Sequence, residues 1–71
     1  MEKVAQVPAH VERMVVEQSQ LSMRINAASV FIETPQFNDL PMIEQRLLIC
    51  QIMAMQSYAG ILRTRIDLAT N

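Results

Sequence analysis

Several kinds of chemistry are closed to this chain by what it lacks. It holds one cysteine, one histidine and one glycine, no tryptophan, one tyrosine and two phenylalanines. A lone Cys50 excludes an intramolecular disulfide framework and any multi-cysteine metal site, and it suits a reducing compartment. One glycine leaves no Gly-rich phosphate loop, and one histidine removes most remaining metal chemistry. Nucleophilic catalysis needs a nucleophile, a base and an orienting group in one pocket. His10 and Cys50 fall on different predicted helices with nothing to pair them, so the expectation is a protein that is not an enzyme and carries no cofactor or metal. Charge of one sign is also missing. Six Lys and Arg against seven Asp and Glu leave a formal net charge of −1. A duplex-DNA-binding arm or a polybasic membrane patch needs a clear basic excess, so neither is expected.

Long hydrophobic runs are absent too. The N-terminal MEKVAQVPAHVER has no apolar core of the kind a signal peptide requires. The longest uncharged stretch is the sixteen residues from Leu47 to Leu62. It falls short of the ~20 apolar residues that span a bilayer, and Gln51, Gln56 and Ser57 interrupt it. Its flanks do not supply the basic polar face of a membrane-surface helix. It reads as a buried helix.

What the chain has in abundance is apolar side chains. They make up 51% of its 71 residues, while a chain of ~60 residues buries only ~60% of its unfolded surface. The surplus predicts self-association.

Prolines set the boundaries. Pro8 suits the first turn of a helix, where its missing N–H costs nothing, and Pro35 disfavours helical geometry at Thr34. Between them Val11, Met14, Val15, Leu21, Ile25, Ala28 and Ile32 follow three-and-four spacing, with Gln18 as the polar residue in the stripe. A first long helix is therefore predicted over 8–34 and a loop over 35–39, with Phe37 folded back as an apolar plug. Asp39 is the candidate N-cap and Pro41 the first-turn proline of a second long helix over 40–69. Ile43, Leu47, Cys50, Ala54, Ile61 and Leu68 mark one of its faces, and Leu48, Ile49, Ile52, Met53, Met55 and Leu62 spread round the rest. A helix apolar on several sides must meet more than one neighbour. The architecture expected is all-α: a single domain over 1–71, an antiparallel hairpin of two long helices after a short segment at 1–7, assembling into a homo-oligomeric bundle through a two-fold axis.

Few polar residues stand out from this helical background: His10, Arg13, Arg24, Arg46, Tyr58, Arg63 and Arg65. His10 and Arg24 are fourteen residues apart, nearly four whole turns, so they share a helix face about 21 Å apart. Within one chain they cannot touch the same small ligand. Across an antiparallel pair of first helices, His10 of one copy approaches Arg24 of the other. Two such stations, each a ring to stack on a base and a guanidinium for a phosphate, suit a two-fold ligand. The plainer reading makes both solvated surface residues. Arg63 or Arg65 near the last turn either answers the helix dipole or contacts an anion. Cys50 reads as an inert core thiol and Tyr58 as a core ring with a satisfied hydroxyl. The spacing of Ala54, Ser57 and Gly60 suggests a close helix crossing.

The ordered pattern His10-Val-Glu-Arg13-Met14, Glu17, Leu21, Arg24-Ile25, Phe31-Ile32, Phe37, Leu40, Glu44-Gln45, Leu47-Leu48, Gln51, Met55, Tyr58, Ile61-Leu62 and Arg65-Ile66 resembles the second described type of phage anti-CBASS proteins. These are small cyclic-oligonucleotide sponges acting against bacterial cyclic-oligonucleotide signalling. The resemblance runs from Pro8 to about Ile66. It implies an all-helical homohexamer in the host cytoplasm that binds cyclic dinucleotides such as 3′,3′-cGAMP between protomers, and cyclic trinucleotides at separate sites, without cleaving either. By the same resemblance His10 and Arg24 fall at the dinucleotide site, with histidine where the family usually has tyrosine. Arg65, or Arg63 in its place, and Thr70 fall at the trinucleotide site. The alternative from periodicity alone is a helical hairpin that binds a partner protein.

Overall fold

The computed structural model describes residues 8–70, and the segment expected at 1–7 lies outside the described residues. Three helices follow in order: α1 over Ala9–Phe31, α2 over Pro35–Asn38 and α3 over Met42–Thr70. The two long helices pack along their length as a hairpin; the short connection between Phe31 and Met42 makes them antiparallel, and the contacts of Glu17 with Tyr58 and of Gln18 with Ala59 mark their register.

Pro8 caps α1 with extended geometry, φ −57° and ψ 150°. Its carbonyl accepts from the N–H groups of Val11 at 2.9 Å and Glu12 at 3.1 Å. At the far end Thr34 is pushed to φ −98° and ψ 157°, as the following proline requires. The break therefore comes where expected, although α1 ends three residues earlier, at Phe31. Between the long helices the expected loop contains one helical turn, α2. The Thr34 hydroxyl donates to the Phe31 carbonyl at 2.6 Å and accepts from the Phe37 N–H at 3.4 Å, so one side chain closes α1 and caps α2. Phe37 is buried and meets Phe31 edge-on, ring centroids 6.1 Å apart. It is the plug the sequence suggested.

Asp39 is not the N-cap of the second long helix. It closes α2 instead, its N–H donating to the carbonyls of Pro35 and Gln36. The Pro41 carbonyl accepts the first α3 bond, from the Gln45 N–H at 3.1 Å. The Gln45 side chain then donates back to the carbonyls of Leu40 at 2.9 Å and Asn38 at 3.2 Å, which ties the turn to the helix.

Two matched stripes form the interior. On α1 it is Val11, Met14, Gln18, Leu21, Ile25, Ala28 and Ile32; on α3 it is Gln45, Leu48, Ile52, Met55, Ala59, Leu62 and Ile66, and every one of these is buried or half-buried. Both sets alternate steps of three and four, the spacing by which two helices interlock side chains at a shallow crossing angle. Gln18 does not break the seam, because its amide donates to the Ala59 carbonyl at 3.2 Å. The tightest packing surrounds Val11, Met14, Leu21 and Leu62, with Met55, Ala59 and Ile66 against them.

Two expectations are corrected here, on Cys50 and Val15, and one face left open by the sequence is placed. The face marked by Ile43, Leu47, Cys50, Ala54, Ile61 and Leu68 is the outer face of α3, and each of these residues is exposed. Cys50 is accordingly an exposed thiol and not a core one. Val15 leaves the α1 stripe, at 48% exposure, while Gln18 stays in it as its polar member. The exposed face and Cys50 share one cause: α3 carries two stripes of the same period on opposite sides, and α1 covers only one. Gly60, suspected of a close crossing, has open space where a Cβ would lie, so nothing within the chain explains it.

Candidate functional site

On α1, a run of i, i+4, i+7 and i+11 positions places Arg13, Glu17, Gln20 and Arg24 along one flank of the hairpin. With Ala9, Glu12 and Val16 they line a groove of about 570 Å³. Every lining residue belongs to α1, so the groove has a floor and no opposite wall. Two guanidinium groups face it, eleven residues or about 16 Å apart along the helix. Such spacing holds separate anionic groups of an extended ligand better than one compact anion.

The rim is organised from across the hairpin. The Tyr58 hydroxyl on α3 donates to a Glu17 carboxylate oxygen. That hydrogen bond is the main reason the tyrosine pKa is raised above its usual 10.0; slight desolvation and the Glu17 charge add to it, and the charge of Arg65 opposes it. Tyr58 is therefore not the core ring expected from the sequence: it is 42% exposed, with its hydroxyl satisfied. Tyr58 thus ties one of the groove's lining carboxylates to the opposite helix. A raised pKa means that the neutral phenol is favoured by folding. The contribution is complete below the unfolded-state value near 10 and is lost as pH climbs through the higher folded-state value. Tyr58→Phe is expected to remove this alkaline loss of helix stability, which circular-dichroism melts between pH 8 and 11 would register.

His10 stands exposed in the first turn of α1 and does not line the groove; Arg24 lies at its far end. Both lie on the flank of α1 that carries the groove, and one chain does not bring them together. Arg65 lies near Tyr58, where its charge is felt. Arg63 belongs to the opposite flank, in a second groove of about 460 Å³ with Val15, Gln18, Ser19, Ser22, Ile66 and Asp67. The two arginines left open by the sequence are thus separated: Arg65 shares a flank with the α1 groove and Arg63 does not. The Thr70 hydroxyl donates to the Ile66 carbonyl at 2.8 Å, in the last turn of α3. Glu17, Gln20 and Tyr58 were missed as partners in the site, since only the hairpin register brings position 58 to position 17. Among the described residues no three His, Cys, Asp or Glu side chains converge for a metal ion, and no helix is long and apolar enough to cross a membrane.

Comparison with known proteins adds a family and a relative. The family described as Sequestin matches residues 8–68. A protein of Enterobacteria phage T4, described as an uncharacterized 7.5 kDa protein in the denB-rIIB intergenic region, is 41% identical over 58 residues, which cover 82% of this chain and 91% of the relative. No solved structure matches.

Proposed function

The chain belongs to the Sequestin family of phage cyclic-oligonucleotide sponges, and from that premise we propose that it binds cyclic dinucleotides between copies of itself and holds them intact. The observation that carries this reading is the one-sided groove on α1, which offers two well-separated guanidinium groups and lacks a second wall. A second α1 running antiparallel would supply that wall. It would also bring His10 of each copy towards Arg24 of the other, giving a two-fold ligand a ring for each base and a cation for each phosphate. Arg65 and Thr70, in the last two turns of α3, are the proposed contacts for cyclic trinucleotides. The proposed action is capture of the signal in the host cytoplasm before a CBASS effector meets it.

The test is a panel of cyclic di- and trinucleotides followed by thermal shift. A ligand that binds only the folded form stabilises it by about 2.7 kcal/mol at a hundred times its Kd. The expected outcome is a raised melting temperature with 3′,3′-linked cyclic dinucleotides, and recovery of the unaltered nucleotide after heat denaturation. Absence of any shift across the panel sinks the proposal, and recovery of linear products would mean hydrolysis instead.

A further inference from the structure

The α1 groove is not purely cationic. Midway along it stands the half-buried Glu17, one turn beyond Arg13 and about 10 Å short of Arg24 along the helix. A carboxylate in that place works against a ligand that brings only phosphates, since like charges repel. It turns favourable where the ligand also brings hydrogen-bond donors. The carboxylate is aimed as well: the Tyr58 hydroxyl donates to its Oε2 from across the hairpin. Two oxygens offer about four acceptor positions, so Oε1 and the second lone pair of Oε2 remain to accept.

The register that sets His10 across from Arg24 of the other copy puts its two-fold axis at position 17, midway between 10 and 24. Glu17 then faces Glu17 of the other copy, and a ligand on the axis meets both. Resting on that reading, we propose that Glu17 selects the bases of the captured dinucleotide, with Tyr58 as its positioning residue, and that the base selected is guanine. An ionised carboxylate only accepts. Guanine carries two donors side by side on its Watson–Crick edge, N1–H and the 2-amino group, and pairs with the carboxylate through two charge-assisted bonds. Adenine and cytosine each set an amino group beside a bare ring nitrogen, and uracil sets its N–H between two carbonyls. Each of these turns at least one lone pair towards the carboxylate. The two-fold axis repeats the choice, so two guanines satisfy both copies of Glu17, one guanine satisfies one, and two adenines satisfy neither.

The test is titration calorimetry of cyclic di-GMP, 3′,3′-cGAMP and cyclic di-AMP. A two-bond contact to a base edge discriminates by about tenfold or more, so affinity is expected to fall in that order by about tenfold per guanine lost. Cyclic di-IMP, which is cyclic di-GMP without its 2-amino groups, is expected to bind the unaltered protein about tenfold or more weaker than cyclic di-GMP. In Glu17→Gln an amide donor replaces one acceptor and suits adenine, so the spread collapses and cyclic di-AMP gains. In Tyr58→Phe the carboxylate stays but is no longer aimed, so the spread narrows while cyclic di-AMP binding holds. Equal affinity for cyclic di-GMP and cyclic di-AMP overturns the proposal and leaves the capture of dinucleotides standing, as does equal affinity for cyclic di-GMP and cyclic di-IMP. A Glu17→Gln protein that binds all three more tightly by one factor overturns it too, since Glu17 then acts only as a charge beside the phosphates. Uniform weakening in Tyr58→Phe overturns the positioning role. No binding of any of the three by the unaltered protein sinks the capture reading and this selection with it.

Discussion

If the proposed site is right, replacing Arg24 with alanine is expected to lower the affinity for cyclic dinucleotides by roughly a hundredfold or more, to the point where thermal shift vanishes at concentrations that saturate the unaltered protein. The magnitude follows from symmetry. A ligand held across a two-fold axis meets Arg24 twice, and a charge-assisted hydrogen bond contributes about 1.5–3 kcal/mol. Losing both removes about 3–6 kcal/mol, where 1.4 kcal/mol is a factor of ten. The substitution is benign to the fold, because Arg24 is exposed on α1 and alanine is the better helix former. Titration calorimetry with the variant and with Arg63→Ala separates the two flanks. Arg63 lines the other groove, so its removal leaves dinucleotide affinity unchanged. Arg65→Ala is expected to weaken cyclic trinucleotides instead. Dinucleotide binding by Arg24→Ala at unaltered affinity would show that the α1 groove is not the site.

The largest loss of stability is expected from Leu62→Ala. Leu62 is 1% exposed and sits among Val11, Met14 and Leu21, where the α1 and α3 stripes interlock. Truncating a buried leucine costs about 2–5 kcal/mol, through lost apolar burial and the cavity left behind. For a chain this small each kcal/mol moves the melting temperature by about 4–8 °C, so a fall of ten degrees or more is expected by circular dichroism at matched protein concentration. Met23→Ala is the comparison, since Met23 is 68% exposed and its loss leaves the hairpin seam intact. Equal melting of the two variants would place Leu62 outside the core.

The hairpin was legible in the sequence because its signals are local. Pro8 and Pro35 each restrict one turn of backbone, and the stripe from Val11 to Ile32 has the helical period. The short turn α2 was not legible, because the Thr34 hydroxyl that caps it serves a four-residue helix with no period of its own. Which face of α3 turns inward was not legible for a different reason. Its two seams share the same spacing, and Ile43, Leu47 and Ile61 are as apolar as Leu48, Ile52 and Leu62. Period therefore gives the number of faces but not which one meets α1. What selects between them is polar: Gln18 finds a carbonyl at Ala59 and Gln45 finds those of the turn, and these bonds exist in one register only. For the site, the cations were visible as exceptions on an apolar background. The tie between Tyr58 and Glu17 was not, since forty-one positions separate its ends.

The division of α1 and α3 into seams and flanks has an evolutionary consequence. Apart from Glu17, which lines the groove and is tied across the hairpin by Tyr58, the residues that pack the hairpin and those that face the groove occupy different sides of the same helices, so the two sets can change largely independently. On the proposed reading, a substitution at position 10, 13 or 24 changes what is captured and leaves the packing of Val11, Leu21 and Leu62 untouched. A lineage meeting a changing set of host signals would then drift in ligand spectrum while its architecture stays still.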